Sequence, residues 1–217
     1  MRRRTLDILF SAGGAALAAL LLVLGLVMTS NANFSENYVT DQLSQQNISF
    51  KPAAELTDEE KAAPCIVENA GKALTTGKQA ECYANDFIGL HLKSTADGMT
   101  YADIGVPQSE LRTKVAAAQK AGDPALADLQ KQLADVTTKR ETLFKGETLR
   151  GLLLTSYGFS ELGAKANQAA TVAYAGAALL ALLAVFGFVH AFVTPRNKGF
   201  AVAVPDTVEE VQRLARV

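Results

Sequence analysis

Two long apolar runs fix most of what this chain can fold into. Residues 8–28 carry no charge, and residues 169–193 carry no formal charge and a single histidine, His190. At about 1.5 Å per residue they would span roughly 31 and 37 Å as helices, enough to cross a hydrocarbon core of about 30 Å. The 140 residues between them, 29–168, are soluble in character, with 14 Lys and Arg against 18 Asp and Glu. That is enough for one domain with its own modest core. The chain is rich in Ala, has no Trp and shows no convincing strand alternation. The expected fold class is therefore an all-α membrane protein, two transmembrane helices flanking an external helical domain.

Flanking charge sets the expected orientation. Arg2, Arg3 and Arg4 precede the first run; Arg196 and Lys198 follow the second, with Arg213 and Arg216 further on. Basic flanks stay on the cytoplasmic side, so residues 1–7 and the tail 194–217 are predicted cytoplasmic and 29–168 external. A cleaved leader is the competing reading of the first run, because Ser30, Asn31 and Ala32 place small residues at peptidase spacing. The run is longer than the roughly 7–15 residues of a leader's apolar region, so an uncleaved anchor is expected. Small residues recur four apart in both runs, at Gly14 and Ala18 and at Ala173, Ala177 and Ala181. Such faces let helices approach closely in lipid, either to pack the two runs together or to meet another membrane protein.

The external segment reads as a series of helices. Thr57 before Asp58, Glu59 and Glu60 is an N-cap with an acidic first turn. Residues 65–77 are expected as a helix ending at Gly77, and 78–93 as the next, with Cys82, Tyr83, Phe87, Leu90 and His91 near one face. Asp97-Gly98 marks a turn. Residues 109–121, then Gly122, Asp123-Pro124 and the stripe Leu126, Leu129, Leu133, Val136 and Leu143, predict an αα-hairpin. Residues 146–163 are the most apolar external stretch; a core helix is favoured over an interfacial one, and it could join the second run as one long helix. A short tail helix could open at Pro205.

Chemistry has few footholds. Cys65 and Cys82 are the only cysteines, and an external pair points to one disulfide. Closing a loop of this size is worth about 3 kcal/mol in the chain-entropy model. The predicted topology puts His91 and His190 on opposite sides of the membrane, so together they assemble neither a two-histidine, one-carboxylate iron site nor a catalytic zinc site. No haem-attachment motif, phosphate loop or ordered Ser-His-Asp set is present. A formal net charge of −1 without a basic stripe gives nucleic acid no footing. His190 is assigned a helix-end role, Asp7 a pairing with the arginines beside it, and Glu147 with Arg150 an ion pair on one helix face.

Six strings together carry a resemblance. They are Met1-Arg-Arg-Arg-Thr-Leu-Asp, Val39-Thr-Asp-Gln-Leu, Leu74-Thr-Thr-Gly-Lys-Gln-Ala-Glu-Cys-Tyr-Ala-Asn-Asp-Phe-Ile, His91-Leu, Ala96-Asp-Gly-Met-Thr-Tyr-Ala and Leu143-Phe-Lys-Gly-Glu-Thr-Leu-Arg-Gly-Leu-Leu-Leu. From the N-terminus through the second run the chain resembles a family of two-span actinobacterial membrane proteins. Its members often bear the label of aromatic ring-opening dioxygenase, and the missing iron ligands speak against that chemistry here. The resemblance implies a non-catalytic accessory subunit of the cytochrome bcc–aa3 respiratory supercomplex. Its partners would be cytochrome bcc and aa3 oxidase subunits and membrane lipids. It implies no cofactor held by this chain, with haem, copper and quinone only in partner subunits. The family offers no catalytic motif to map, and the cysteine pair stands outside the resemblance. The rival reading is a two-span sensor or binding module with an extracytoplasmic ligand-recognition domain; an enzyme ranks third.

Overall fold

The computed structural model describes residues 3–195. The expected tail helix and the flanking Arg2, Arg196, Lys198, Arg213 and Arg216 lie outside the described residues. Within them the chain is helical, with one isolated antiparallel bridge between Ser49 and Ala73. The helices are α1 (Arg3–Gln45), α2 (Asp58–Lys61), α3 (Pro64–Asn69), α4 (Gly77–Cys82), α5 (Gly89–Thr95), α6 (Gly105–Ala121) and α7 (Leu126–Val193). A 3₁₀ turn covers Ala53–Glu55, and a π-helical segment, Tyr83–Ile88, joins α4 to α5. The chain divides into two compact units: a helix pair, formed by the residues up to Thr29 and from Asn167 on, and a helical domain, Ser30–Ala166.

Both apolar runs are helical and are parts of longer helices, 43 residues in α1 and 68 in α7. Both helices are long and apolar enough to cross a membrane. The stretch 146–163 does continue into the second run within α7.

In the helix pair the two segments run antiparallel, as their contacts show. Asp7 meets His190, a Cβ on Gly14 would touch Ala184, and Thr29 bonds Tyr174. The seam repeats every seven residues. Ser11, Ala18 and Gly25 are buried on α1, and Ala170, Ala177, Ala184 and Ala191 on α7. Half-buried or buried positions fall between them at Gly14 and Leu21 and at Ala173, Leu180 and Gly187. Alternating steps of three and four keep one stripe facing a partner under left-handed supercoiling. The residues on the stripe are small because the backbones are close. A Cβ on Gly25 would sit 2.6 Å from Cε1 of Tyr174, and one on Gly187 would collide with Oγ of Ser11.

The helical domain packs large side chains. Its core joins Val39 and Leu43 of α1 to Phe50, Leu56, Ile66, Leu74, Ile88, Leu92 and Ile104, closed by Leu143 and Leu153 of α7. The first departure from expectation is at residues 65–77. Helix α3 stops at Asn69, Gly71 takes a left-handed φ of 71°, and the chain turns back. The backbone of 72–74 then pairs with that of 48–50, where Phe50 N donates to Lys72 O and Leu74 N to Ile48 O. Gly77 opens α4 instead of closing α3. Thr76 accepts from Gln79 N while the Gln79 side chain accepts from Thr76 N, a complete capping box. Gly122 at φ 64° ends α6 as expected, and Asp123 accepts from Ala125 N at the start of the second arm.

Candidate functional site

The most polar feature of the buried interior is Glu60, whose side chain is 0% exposed. Local sequence puts it there. Thr57 caps α2 by accepting from Glu60 N at 3.2 Å, and the Glu60 carboxylate returns the bond, its Oε2 accepting from Thr57 N at 2.8 Å. The other oxygen, Oε1, accepts from Lys51 Nζ at 2.7 Å and lies 3.5 Å from His91 Nε2. Burial opposes its ionisation; the Lys51 hydrogen bond, the Thr57 N–H and the charges of Lys51 and His91 outweigh burial and hold its pKa below the ordinary carboxylate value.

An aromatic ladder runs beside this carboxylate. Phe50 meets Tyr83 edge-on at 5.2 Å, Tyr83 meets Phe87 at 4.6 Å, and Phe87 meets His91 at 4.5 Å. Lys51 Nζ sits 5.2 Å over the Phe87 ring. Burial, with the Glu60 charge added, pushes the Tyr83 hydroxyl pKa up. His91 Nδ1 lies 2.7 Å from the Phe87 carbonyl, which can only accept, so Nδ1 carries a proton. Nε2 then attracts Glu60 only when it too is protonated. The expected stripe of Cys82, Tyr83, Phe87, Leu90 and His91 is split by the structure. The core-facing row is Ala80, Ala84, Ile88, Leu92 and Ala96, while Phe87 is half-buried and His91 exposed. Because Glu60 is sealed from solvent, it can hold Lys51 and His91 in place but cannot itself reach a substrate. In sequence Glu60 shows only as first-turn acidity; the pairing of Thr57 with a Glu three residues on is the legible sign of more.

Cys65 and Cys82 are joined as a disulfide that ties α3 to the end of α4. Asp86 approaches them, with Oδ2 3.2 Å from Cys65 Sγ. The three groups cluster closely enough to suggest a metal site, but bonded sulfurs offer no thiolate to an ion. His91 belongs to the helical domain and His190 to the helix pair. His190 Nδ1 is 3.0 Å from Asp7 Oδ2, so Asp7 meets a histidine on the opposite helix, while Arg4 lies over the Phe192 ring. Glu147 and Arg150 do pair, at 3.3 Å, and Arg150 also reaches Asn85.

The predicted small faces are placed as follows. Gly14, Ala18, Ala173 and Ala177 lie on or beside the seam of the helix pair. Ala181 is exposed, because a step of four from Ala177 drifts off a seven-residue stripe. It lines, with Ala15, Ala19 and Ala178, an open groove of about 490 Å³ along the pair. The groove's one polar side chain is Tyr174, whose hydroxyl already bonds Thr29 at 3.0 Å. A surface of this kind can accept only apolar matter. Comparison of the chain with models of protein families, with curated proteins and with solved structures gave no match.

Proposed function

We propose that this chain is a non-catalytic accessory subunit of the actinobacterial cytochrome bcc–aa3 respiratory supercomplex, bridging or stabilising its membrane subunits. The six sequence strings supply the identity of the complex: they are similar to those of a mycobacterial prokaryotic respiratory supercomplex association factor 1. The structural observation that carries the docking role is the character of the helix pair. Only 17% of the most apolar 18-residue stretch of each long helix is buried, whereas a soluble core helix would hide most of such a stretch. The seam takes Ser11, Ala18, Gly25, Ala170, Ala177, Ala184 and Ala191 and leaves Leu9, Phe10, Leu20, Leu182, Phe186 and Phe192 outward. Those faces suit lipid and the helices of neighbouring subunits, and the alanine groove suits a bulky side chain from one of them. In this reading both termini are cytoplasmic and residues 29–168 are external, the side on which the disulfide forms.

Purification through a tagged oxidase subunit in mild detergent tests the proposal. The chain is expected in the eluate and in the supercomplex band of a native gel. Its absence from both, with the bcc and aa3 subunits present, would sink the assignment. The substitutions Ala178→Phe and Ala181→Phe fill the groove from exposed positions. They are expected to lower the co-purified amount several-fold while the chain still accumulates in membranes.

A further inference from the structure

Between α6 and α7 of the helical domain lies a pocket of about 280 Å³ that the accessory-subunit reading does not use. Its floor is Gln108, only 3% exposed. The Gln108 amide is fully engaged: Nε2 donates to Thr137 Oγ1 at 2.9 Å, and Oε1 accepts from Arg140 Nη1 at 2.6 Å. The Arg140 guanidinium carbon lies 4.6 Å from the centre of the Tyr101 ring. Its Nε–H is buried and has no hydrogen-bond partner. The donor left for a group arriving from outside is Nη2, which has no hydrogen-bond partner among the described residues and is not sealed.

The rest of the lining has matching character. Arg112 and Lys145 stand exposed at the rim with no ion pair or hydrogen bond among the described residues. Three cations therefore face one carboxylate among the lining residues, the exposed Glu141. The opposite wall is apolar: Phe144, 57% exposed, lies 5.7 Å from Tyr101. The floor's amide carbonyl is already spoken for by Arg140, so what the pocket has left to offer is positive charge and N–H donors beside two rings.

We infer that this pocket binds a small organic oxyanion, a carboxylate or phosphate carried on a planar or apolar group. The anion would take the unpartnered Arg140 Nη2–H, with Arg112 and Lys145 closing over it, and the carrier would lie against Tyr101 and Phe144. At about 280 Å³ the pocket falls just below the usual range for ligand sites, about 300–1,000 Å³, which limits the occupant to roughly the size of a single substituted ring. The inference does not depend on which complex the chain joins.

The test uses the full chain in detergent, titrated calorimetrically with benzoate, phenyl phosphate and the neutral benzamide. At least one of the two anions is expected to bind saturably at about 1 mM or tighter, and benzamide at least about ten-fold more weakly. The double variant Arg112→Gln, Lys145→Gln removes charge from exposed, unpaired positions. It should leave the circular dichroism spectrum and melting midpoint unchanged while weakening the anion about ten-fold. Failure of both anions to saturate by about 10 mM would overturn the inference. So would equal binding of benzamide, or parental affinity in the double variant.

Discussion

In the helix pair the buried residues are Ser11, Ala18, Gly25, Ala170, Ala173, Ala177, Ala184 and Ala191; in the helical domain they include Phe50, Leu56, Ile66, Leu74, Ile104 and Leu143. Burying alanine removes little apolar area from water, so a seam of this kind would hold two helices together poorly in an aqueous setting. In lipid the comparison reverses. There is no hydrophobic drive between helices, and close backbone approach with dense van der Waals contact is what remains. The helical domain must instead win its stability from water. It does so with bulky side chains, a disulfide, two capping boxes and one buried carboxylate held by a cation. The two packing styles in one chain are the physical argument for two solvents.

The comparison is most sharply tested by the group with no counterpart in the helix pair. Glu60→Ala should cost about 3 kcal/mol, because it strips Lys51 of its partner and opens the α2 cap. Urea unfolding followed by near-ultraviolet circular dichroism of the tyrosines would read this. The carboxylate also predicts a pH dependence. Its folded pKa lies below the ordinary 4.5, so its stabilisation is complete above about that pH and is lost as pH falls through the folded value. Glu60→Gln should therefore narrow the stability gap to the parent as the solution is acidified below pH 4.5. A gap independent of pH would show that the charge of Glu60 contributes nothing.

Removing the disulfide by Cys65→Ser with Cys82→Ser should lower the stability of the helical domain by about 3 kcal/mol. Spin labels at the outward Leu20 and Leu179 should report an unchanged distance distribution in that variant. A broadened distribution would mean that the helix pair leans on the disulfide, and that the two packing styles are not independent.

Gly25→Leu attacks the other side of the comparison. The new side chain must displace the Tyr174 ring, at about 2 kcal/mol or more of overpacking, and the same label pair should broaden or separate. Tyr174→Phe is the mildest change. It removes only the 3.0 Å bond to Thr29, worth about 0.6 kcal/mol between membrane helices, and should leave the label distance intact.

The amount of this visible in the sequence follows the range of the interactions. Uncharged length alone located both apolar runs, and the turn chemistry of Gly122 with Asp123 located the hairpin. The cysteine pair followed from there being two of them in an external segment. What was missed depended on a partner distant in the chain. The seven-residue seam resembles a four-residue one, because Ala173 and Ala177 satisfy both over a short window and Ala181 extends only the second; the opposing positions on α1 distinguish them. Gly77 carries the features of a helix stop and a helix start alike, and the capping box of Thr76 with Gln79 decided between them. Asp7 has arginines beside it in sequence, and also meets in space a histidine 183 residues further along the chain. The pocket around Gln108 needs α6 and α7 folded together before Arg140 and Tyr101 can meet.

The π-helical segment Tyr83–Ile88 has a consequence for the helix that contains it. A wide turn holds one residue more than an α-helical turn, so it acts as a phase shifter: everything after it is rotated by about 100° from where a regular helix would place it. Cys82 lies before the shift and answers to the disulfide; His91 lies after it and answers to Glu60. A regular helix of the same sequence could satisfy one appointment but not both. Excising one residue, the exposed Asp86, would restore the regular phase. The disulfide would then still close, and His91 would swing away from the carboxylate it now faces.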